Sequence, residues 1–354
     1  MNAAGSRDEQ LVARTQSSSA TSSQTQALLQ MIAGAWIAQA IFVAAKFGVA
    51  DLVRDEPKSV DSLANATAAH PRALYRVLRA LASVGIFRED DDGRFSITAL
   101  AEPLRSDWPG SLRPYAIMMG SEWVWRSFGE IMHSVRTEKP AFDQIYGAPV
   151  FDYYAKTPEA ARIGAEGLTS RSAPENAAVV AAYDFSWAKK IVDIGGGQGS
   201  LLAAILASNA NSRGVLFEMP HVVERARPTF EKAGLAERCD LVGGDFFAAV
   251  PPGGDVYILK KVIHDWDDKQ ARSILQTCRA AASSQGRLLL IELVVPPGND
   301  PSFAKLLDLQ MLVYPGGRER TEAEHRELLA SANFKLERVL PTSSTVSIVE
   351  AIPA

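Results

Sequence analysis

A regular alternation of strand-like and helix-like segments fills the chain from residue 187 onward, and it restricts the fold more than any other feature. Short apolar runs such as KIVDI, GVLFEM and GRLLLIEL alternate with helical segments such as SLLAAILAS. This order is typical of an α/β domain, in which helices cover a mostly parallel sheet. The last segment, FKLERVLPTSSTVSIVEAIPA, reads as two strands joined by a turn, which predicts an antiparallel addition to that sheet.

A glycine-rich loop, VDIGGGQGS, follows the first of these strands and opens a helix. Glycines let the backbone approach a ligand closely, and the N-terminus of a helix favours negative or polar groups. The spacing is not the G-x-G-x-x-G of dinucleotide-binding proteins, because Ser200 takes the last position. A phosphate-binding P-loop is also excluded, since no Lys-Ser or Lys-Thr pair follows. The glycine spacing therefore argues against a nicotinamide dehydrogenase.

Acidic residues stand at the ends of the next two strands. Glu218 ends the second strand, 19 residues beyond Gly199, where dinucleotide folds hold a ribose diol. The third strand ends in GGDF, which places Asp245 next to Phe246. A carboxylate beside an aromatic ring can accept from an adenine amino group and cover its face. The sequence thus predicts a cofactor that contains a nucleoside.

Composition and charge exclude several other classes of protein. The 354 residues include 37 Lys and Arg against 41 Asp and Glu, a net charge of −4. This balance argues against a protein built to hold nucleic acid or an anionic membrane surface. Two cysteines, Cys239 and Cys278, make neither a disulfide framework nor a cysteine-rich zinc site. We expect a cytoplasmic protein.

The N-terminal region begins with a polar segment and continues with an uncharged one. Residues 1–26 are rich in Ser, Thr, Gln and Ala and have no apolar signal core, which predicts a disordered tail. Residues 27–45 carry no charge and are long enough to cross a bilayer, but Ala, Gly and Gln dilute their hydrophobicity. We interpret them as a helix that is buried all round, packed against a second subunit, and not as a membrane span.

Residues 60–104 read as helix, turn, helix and hairpin, the outline of a winged helix. One observation favours DNA binding, since Arg72, Arg76 and Arg79 share a helix face. Against it, the acidic run at residues 89–92 would place the tip of the wing against phosphate. We therefore expect a structural role for this region and no nucleic-acid partner.

Five motifs occur in the order found in class I S-adenosylmethionine-dependent O-methyltransferases of small molecules, namely VDIGGGQGS, LFEMPHV, GDFF, KKVIHDWDD and GGRERT. Over about residues 28 to 352 the chain resembles this family, the plant caffeate and flavonoid type with its bacterial natural-product relatives. The resemblance implies a Rossmann-like domain with a seven-stranded mixed sheet, preceded by a mostly helical, winged-helix-like dimerisation domain. It also implies a homodimer formed through the N-terminal domain. We place the dimerisation domain at 27–110 and the methyltransferase domain at 111–354, with 111–186 as a helical linker that lines the acceptor pocket.

The resemblance assigns S-adenosylmethionine as the cofactor and carries the family's contacts to matching positions. It places Gly195 and Gly197 under the methionine part of the cofactor. It gives Glu218 the ribose hydroxyls, although plant members usually have Asp there, one methylene shorter.

Asp245 and Phe246 are given the adenine by the same resemblance. Lys260, four residues before His264, matches a basic residue that reaches toward the cofactor. Lys261 beside it is an almost equal candidate by charge alone.

His264 is the sharpest catalytic candidate, because it stands at the carboxyl end of the fourth strand, which we extend over residues 256–264. Ligands bind at that edge of an open α/β sheet, and histidine suits proton transfer near neutral pH. Glu292 lies inside the apolar strand LLLIELVV, where a lone carboxylate is costly without a partner. The neighbouring fourth strand offers His264 as that partner. The resemblance implies Glu319, in GGRERT, as a second carboxylate, with Glu322 as a competitor.

The chemistry that follows is methyl transfer from S-adenosylmethionine to a phenolic hydroxyl, with His264 as general base. No metal is required, and we assign Asp265, Asp267 and Asp268 to the first turn of a helix, where acids suit the helix dipole. The alternatives are an N-methyltransferase, another tailoring enzyme with the same cofactor, and a winged-helix DNA-binding regulator. We expect the acceptor to be a small aromatic molecule. The positions expected to line its pocket are Trp123, Phe128, Phe151, Met311 and Tyr314.

Overall fold

The computed structural model describes the backbone of residues 5–354 and the side chains from residue 23 onward. The chain divides into two compact units, the first ending at Ser121 and the second beginning at Glu122. We had set the domain boundary between residues 110 and 111. Each unit is described separately below.

The first unit combines helices with a small antiparallel sheet whose strand order is β1-β3-β2. The helix–turn–helix and hairpin predicted from the sequence are present as α3, α4 and the strand pair β2–β3. Leu63, Leu78, Phe87 and Phe95 from these elements are buried in one core. The elements are α1 (Gly5–Phe47), α2 (Val49–Leu52), β1 (Lys58–Ser59), α3 (Val60–Thr67), α4 (Pro71–Ser83), β2 (Phe87–Glu89), β3 (Arg94–Ile97) and α5 (Arg113–Gly120).

Helix α1 begins inside the predicted disordered tail. Residues 1–4 and the side chains up to residue 22 lie outside the described part of the chain, so the tail stays a prediction. The stretch Ser23–Phe47 is long and apolar enough to cross a membrane by length and composition, and only 6% of its most apolar window is buried. We predicted a helix that is buried all round, but within one chain this helix is mostly exposed. Its unpaired apolar side chains are available to a partner, and Trp36 is 73% exposed.

The second unit is the predicted α/β domain, and its central strands are apolar because helices cover both faces of the sheet. Its helices are α6 (Glu122–Gly129), α7 (Ile131–Thr137), α8 (Ala141–Tyr146), α9 (Val150–Lys156), α10 (Pro158–Ala182), α11 (Ser200–Ser208), α12 (Pro220–Val223), α13 (Arg227–Lys232), α14 (Asp268–Ala281), α15 (Phe303–Val313) and α16 (Glu322–Ser331). Its strands are β4 (Lys190–Ile194), β5 (Arg213–Glu218), β6 (Cys239–Gly243), β7 (Val256–Lys260), β8 (Arg287–Glu292), β9 (Phe334–Pro341) and β10 (Ser347–Pro353).

The sheet has seven strands in the order β6-β5-β4-β7-β8-β10-β9. Strands β4 to β8 are parallel, and β10 pairs antiparallel with both β8 and β9. The seven-stranded mixed sheet and its antiparallel end are confirmed. The strand order reverses at β4, which has β5 on one side and β7 on the other. Ligands of open α/β sheets bind in the crevice at the carboxyl ends of strands at such a point.

Candidate active site

The glycine loop joins β4 to α11 at the point where the strand order reverses. Gly195, Gly197 and Gly199 all have positive φ, at 67°, 58° and 74°, which other residues adopt only with strain. A Cβ atom on Gly195 would lie 2.8 Å from a methyl group of Val262. The loop therefore needs glycine for its path, and it leaves its backbone open to a ligand.

Glu218, at the end of β5, reaches back to this loop. Its Oε2 atom accepts a hydrogen bond from the amide of Gly197 at 3.1 Å, and its Oε1 atom accepts one from the amide of Met219 at 2.8 Å. The strand register places β5 directly beside β4, so the acidic side chain and the glycine loop share one edge. Both elements that we predicted to hold the cofactor are thus in contact with each other.

Asp245 and Phe246 follow β6 at the same edge of the sheet. Asp245 is exposed, and its Oδ1 atom accepts from the amide of Phe247 at 2.9 Å. The ring of Phe246 is half-buried and lies edge-on to Trp266, with ring centres 6.1 Å apart. A carboxylate with a free oxygen and an aromatic face are therefore available side by side.

Lys260 and Lys261 both extend to Glu175 on α10. The Nζ atom of Lys261 lies 2.5 Å from Oε1, and that of Lys260 lies 3.1 Å from Oε2. Lys260 also donates to the Oδ1 atom of Asn176 at 2.6 Å. Burial lowers the pKa of Lys261 to about 8, although Glu175 opposes the shift. The ammonium groups are thus tied to this helix, and which lysine contacts the cofactor stays a prediction.

His264 lies just beyond β7 and not within it, since the strand ends at Lys260 and a single 3₁₀ turn, Ile263–Asp265, carries the imidazole. Its Nδ1 atom contacts the Oε1 atom of Glu319 at 2.7 Å and lies 3.7 Å from the Oε2 atom of Glu292. The Oε1 atom of Glu292 accepts from the amide of Ile263 at 3.1 Å. The three predicted residues therefore form one buried cluster. Glu322 lies apart from it, paired with Arg326 on the surface of α16.

The second ring nitrogen of His264, Nε2, has a weaker contact than Nδ1. Nε2 lies 3.4 Å from the Oδ1 atom of Asp265, beyond hydrogen-bond distance for a strong contact. Since Glu319 holds Nδ1, Nε2 is the nitrogen left for an external partner. An imidazole held in this way has a fixed ring orientation and tautomer.

Burial and the charges in this cluster shift the pKa values of its residues. Burial alone lowers the pKa of His264, but Asp265, Glu292 and Glu319 outweigh it and raise that pKa to about 10. Burial raises the pKa of Glu292 to about 7, and Glu319 adds to the shift while His264 opposes it. The cluster therefore stabilises the imidazolium form of His264, which makes the neutral imidazole a strong base.

The segment between α15 and α16 brings Glu319 to the histidine. The amide of Arg318 donates to the carbonyl of His264 at 2.8 Å, and the amide of Glu319 donates to the Oδ1 atom of Asp308 at 2.8 Å. Gly317 lies against the same turn, where an added Cβ would be 1.9 Å from the carbonyl oxygen of His264. Close backbone packing thus sets the distance between the two catalytic candidates.

Two carboxylates at this edge, the buried Asp193 and the partly exposed Asp265, were not recognised as site residues from the sequence. Asp193, on β4, is 1% exposed, and neither carboxylate oxygen has a hydrogen-bond partner among the described residues. Burial raises the pKa of Asp193 to about 7. The sequence already contained an indication of this residue, because an acid inside the apolar run KIVDI is as unusual as Glu292 inside LLLIELVV.

Asp265 is the second of these carboxylates, and here our assignment to the first turn of a helix was wrong. The residue belongs to the turn of His264, while Asp267 caps α14 and Asp268 begins it. Burial raises the pKa of Asp265 to about 6, and His264 opposes the shift. Three acids in four residues look alike in the sequence, and only packing separates the one beside the imidazole.

The aromatic positions predicted for the acceptor pocket have different surroundings. Tyr314 is buried, and its hydroxyl lies 2.5 Å from that of Tyr154. Phe151 is 48% exposed and stacks on Trp266 at 6.0 Å. Met311 is buried on α15, and Trp123 and Phe128 are half-buried on α6. That these residues line one acceptor pocket stays a prediction.

His264, Glu292 and Glu319 could also offer ligands to a metal ion, since their donor atoms lie within 4.8 Å of one another. A histidine paired with carboxylates is equally the arrangement of a general base with its orienting groups. A reaction without metal stays a prediction.

Comparison with known families identifies the class of this protein. Residues 125–335 match the model of the O-methyltransferase domain, and residues 29–107 match that of the O-methyltransferase dimerisation domain. The chain belongs to this O-methyltransferase family. The predicted class, an S-adenosylmethionine-dependent methyltransferase with an N-terminal dimerisation domain, is confirmed.

Curated relatives come from bacterial natural-product biosynthesis. The phenazine O-methyltransferase PhzM of Lysobacter antibioticus is 50% identical over 92% of this chain and 95% of its own length. The mitomycin biosynthesis 6-O-methyltransferase of Streptomyces lavendulae is 40% identical over 90% and 92%. An N,N-dimethyltransferase of 8-amino-8-demethylriboflavin from Streptomyces davaonensis is 32% identical over 89% and 91%. The family therefore includes enzymes that methylate oxygen and enzymes that methylate nitrogen.

Solved structures support the same conclusion. The crystal structure of LaPhzM has a TM-score of 0.88 and 49% identity, covering 94% of this chain and 99% of that chain. An O-methyltransferase from neocarzinostatin biosynthesis, solved with S-adenosylmethionine and 2-hydroxy-5-methyl naphthoic acid, has a TM-score of 0.79 and 34% identity, covering 90% and 96%. The cofactor predicted from the motifs is thus the one bound in a solved relative.

Proposed function

We propose that the protein transfers a methyl group from S-adenosylmethionine to a hydroxyl of a small aromatic molecule, with His264 as the general base. The contact between Nδ1 of His264 and Glu319 at 2.7 Å is the observation that carries this proposal. It fixes the ring and leaves Nε2 for the acceptor hydroxyl. When bound, the cofactor supplies a sulfonium methyl group that an oxygen nucleophile can take up.

The residues at the edge of the sheet fit this cofactor. The space beside Gly197 is open, which leaves room for the methionine part, while Gly195 lets the loop pass close to Val262. The carboxylate of Glu218 faces that loop, where ribose hydroxyls would donate to it. Asp245 and Phe246 would hold the adenine by one hydrogen bond and one ring face. Lys260, buried between β7 and α10, is the proposed basic contact.

The mechanism uses the proton affinity of the cluster. Nε2 of neutral His264 would accept the proton of the phenolic hydroxyl as the oxygen forms its bond to the methyl carbon in line. The bond from that carbon to the sulfonium sulfur would break, and its electron pair would stay on the sulfur of the departing S-adenosylhomocysteine. Because Asp265, Glu292 and Glu319 raise the pKa of His264 well above its usual value, the neutral imidazole is a strong enough base to take the proton of a weakly acidic phenol. Glu319 and Glu292 stabilise the imidazolium that forms. The remaining acceleration comes from holding the two reactants together and away from water.

Oxygen is favoured over nitrogen as the methylated atom because of this base. A phenol is a weak nucleophile until it loses its proton, whereas a neutral aromatic amine attacks with its own lone pair. A histidine whose pKa is raised by three carboxylates helps a phenol to lose its proton, and an aromatic amine does not need such a base before it attacks. The N-methylating relative makes nitrogen the second candidate.

Three further features belong to the proposal. We propose a homodimer formed through the N-terminal domain, since residues 29–107 match the dimerisation domain. We propose an aromatic acceptor handled in natural-product metabolism, as in the relatives. We propose that the enzyme works in the cytoplasm, without metal and without a nucleic-acid partner.

The test is a methylation assay with a panel of matched phenols and anilines, read by mass spectrometry with fragmentation to locate the new methyl group. Wild type should methylate hydroxyl groups at a rate that EDTA leaves unchanged. His264→Ala should lower kcat by about 10²- to 10⁴-fold, the range for loss of a general base. Calorimetric titration should show that His264→Ala still binds S-adenosylhomocysteine and that Glu218→Ala binds it at least about tenfold more weakly.

Two results would overturn the proposal. Methylation of anilines alone, at a rate that survives His264→Ala, would make the protein an N-methyltransferase. Absence of S-adenosylhomocysteine binding by wild type would remove the assigned cofactor.

A further inference from the structure

Arg320 is a charged side chain enclosed in the core of the second unit. It is only 1% exposed and stands directly after Glu319, on the segment between α15 and α16. Arginine is rarely buried to this extent unless its donors are paired. Its partners therefore indicate what the residue does.

The partners of Arg320 lie on both sides of the catalytic histidine. Nη1 donates to the carbonyl of Ile263 at 3.1 Å, and Nη2 donates to the carbonyl of Trp266 at 3.0 Å. Nε and Nη2 both donate to the Oδ1 atom of Asp268, at 3.1 and 2.8 Å. A planar guanidinium has its donors in a fixed fork. These donors bind the turn that carries His264 at three points, which are Ile263 before the histidine, Trp266 after it and Asp268 at the start of α14.

The backbone around Arg320 is attached to the same structure. Its carbonyl accepts from the amide of Val295, just beyond β8, at 2.9 Å. Two residues earlier, the amide of Arg318 donates to the carbonyl of His264. Glu319 lies between these two anchors, so they also determine where its carboxylate meets Nδ1.

We propose that Arg320 is a positioning residue for methyl transfer. Its guanidinium fixes the turn from Ile263 to Trp266, which keeps Nδ1 of His264 on Glu319 and Nε2 directed at the acceptor hydroxyl. Arg320 acts through His264 and contacts neither reactant. This inference rests on the proposed function of His264 as the base.

The test variant is Arg320→Lys, which keeps the charge and loses the planar fork. The matched control is Arg238→Lys in the same unit. Arg238 also clamps backbone carbonyls, those of Leu206, Asn209, Ala210 and Ser212, and it does so away from the histidine turn. Both variants remove an arginine that binds backbone carbonyls. If Arg320 had a purely structural role, the two variants should have similar effects on kcat and on the pH profile.

We expect Arg320→Lys to lower kcat by about 10- to 100-fold, as a displacement near 1 Å at a reacting group does. The KM values for cofactor and acceptor should stay within about threefold, since neither is contacted. The ascending limb of the pH profile should move to lower pH, because a loosened contact with Glu319 lowers the pKa of His264. Arg238→Lys should keep the wild-type kcat and pH profile, even where its melting temperature falls.

Rates are divided by the number of sites that bind S-adenosylhomocysteine, so that unfolded protein does not enter the comparison. Should Arg320→Lys fail to fold, Asp268→Asn removes the exposed anchor of the same guanidinium. We expect it to lower kcat by about two- to fivefold with the same direction of pH shift. A wild-type kcat and pH profile in either folded variant overturns the inference. Failure of the proposed function looks different, since wild type itself would then not depend on His264.

Discussion

At the scale of single residues, the site depends on how much negative charge surrounds one imidazole. Glu319, Glu292 and Asp265 together raise the pKa of His264 to about 10, although burial acts in the opposite direction. The carboxylates therefore favour the imidazolium form of His264 over the neutral ring. Since only neutral imidazole accepts a proton, the rate should rise with pH toward that pKa.

Glu319→Gln tests this reasoning. The amide removes the charge that contacts Nδ1, so the pKa of His264 falls, and neutral imidazole is present at lower pH. The ascending limb of the profile of kcat/KM against pH should move down by about one unit or more. The plateau should fall by about tenfold or more, because the imidazolium loses a stabilising partner.

Glu322→Gln is the matched control for that experiment, since it removes an exposed acid three residues away that pairs with Arg326. Its profile should overlay that of wild type. An unmoved limb in Glu319→Gln would mean that Glu319 does not influence the titrating group.

At the scale of elements, the site is made where two loops meet. The turn after β7 presents His264, and the segment after α15 presents Glu319. Gly317 allows their backbones to touch, because an added Cβ would lie 2.4 Å from the carbonyl carbon of Asp265. Backbone atoms on the other side of this contact cannot rotate away as a flexible side chain can.

Gly317→Ala should therefore be costly for both stability and activity. We expect a loss of about 1–3 kcal/mol in the free energy of unfolding, as for other overpacked sites. The loss of kcat should be about tenfold or more, because the turn of His264 must shift. Chemical denaturation and the methylation assay measure the two effects.

Gly129→Ala provides the comparison, because an added Cβ there has no atom within 4 Å among the described residues. It should change neither stability nor kcat appreciably. Equal behaviour of the two variants would show that the two loops are free to adjust.

At the scale of the whole molecule, the exposed apolar side chains of α1 are the feature that a single chain does not explain. Leu28, Leu29, Met31, Ile32 and Trp36 are each at least 60% exposed. Contiguous apolar surface of this kind marks a contact with another molecule. The match to the dimerisation domain over residues 29–107 supports the proposal that this molecule is a second copy of the chain.

Trp36→Glu should weaken the dimer. Burying an aromatic side chain contributes about 1.5–3 kcal/mol, so the dissociation constant should rise at least about tenfold. Sedimentation velocity over a dilution series measures it. Trp187→Glu, at another exposed tryptophan in the second unit, should leave the dimer intact. A dimer of unchanged affinity in Trp36→Glu would assign the apolar face of α1 to some other contact.

The sequence by itself determined the parts of this protein that depend on neighbours in the chain. Strand, glycine loop and helix are contiguous around Gly195, and Glu218 ends the next parallel strand. Parallel strands place their carboxyl ends at one edge, so the chain order alone predicts that these residues meet. The pairing of Glu292 with His264 followed in the same way, from adjacent strands.

Only the tertiary structure decided which charges are buried together. The family resemblance favoured Glu319, but residue type alone does not separate it from Glu322, and Asp265 resembles its neighbours Asp267 and Asp268. The segment from Gly317 to Arg320 packs on a turn more than 50 residues earlier, and that contact buries Glu319 and Arg320 and leaves Glu322 in solvent. The identity of a charged residue does not show its burial, because burial depends on which distant backbone atoms reach it, and burial is what sets its pKa and its role.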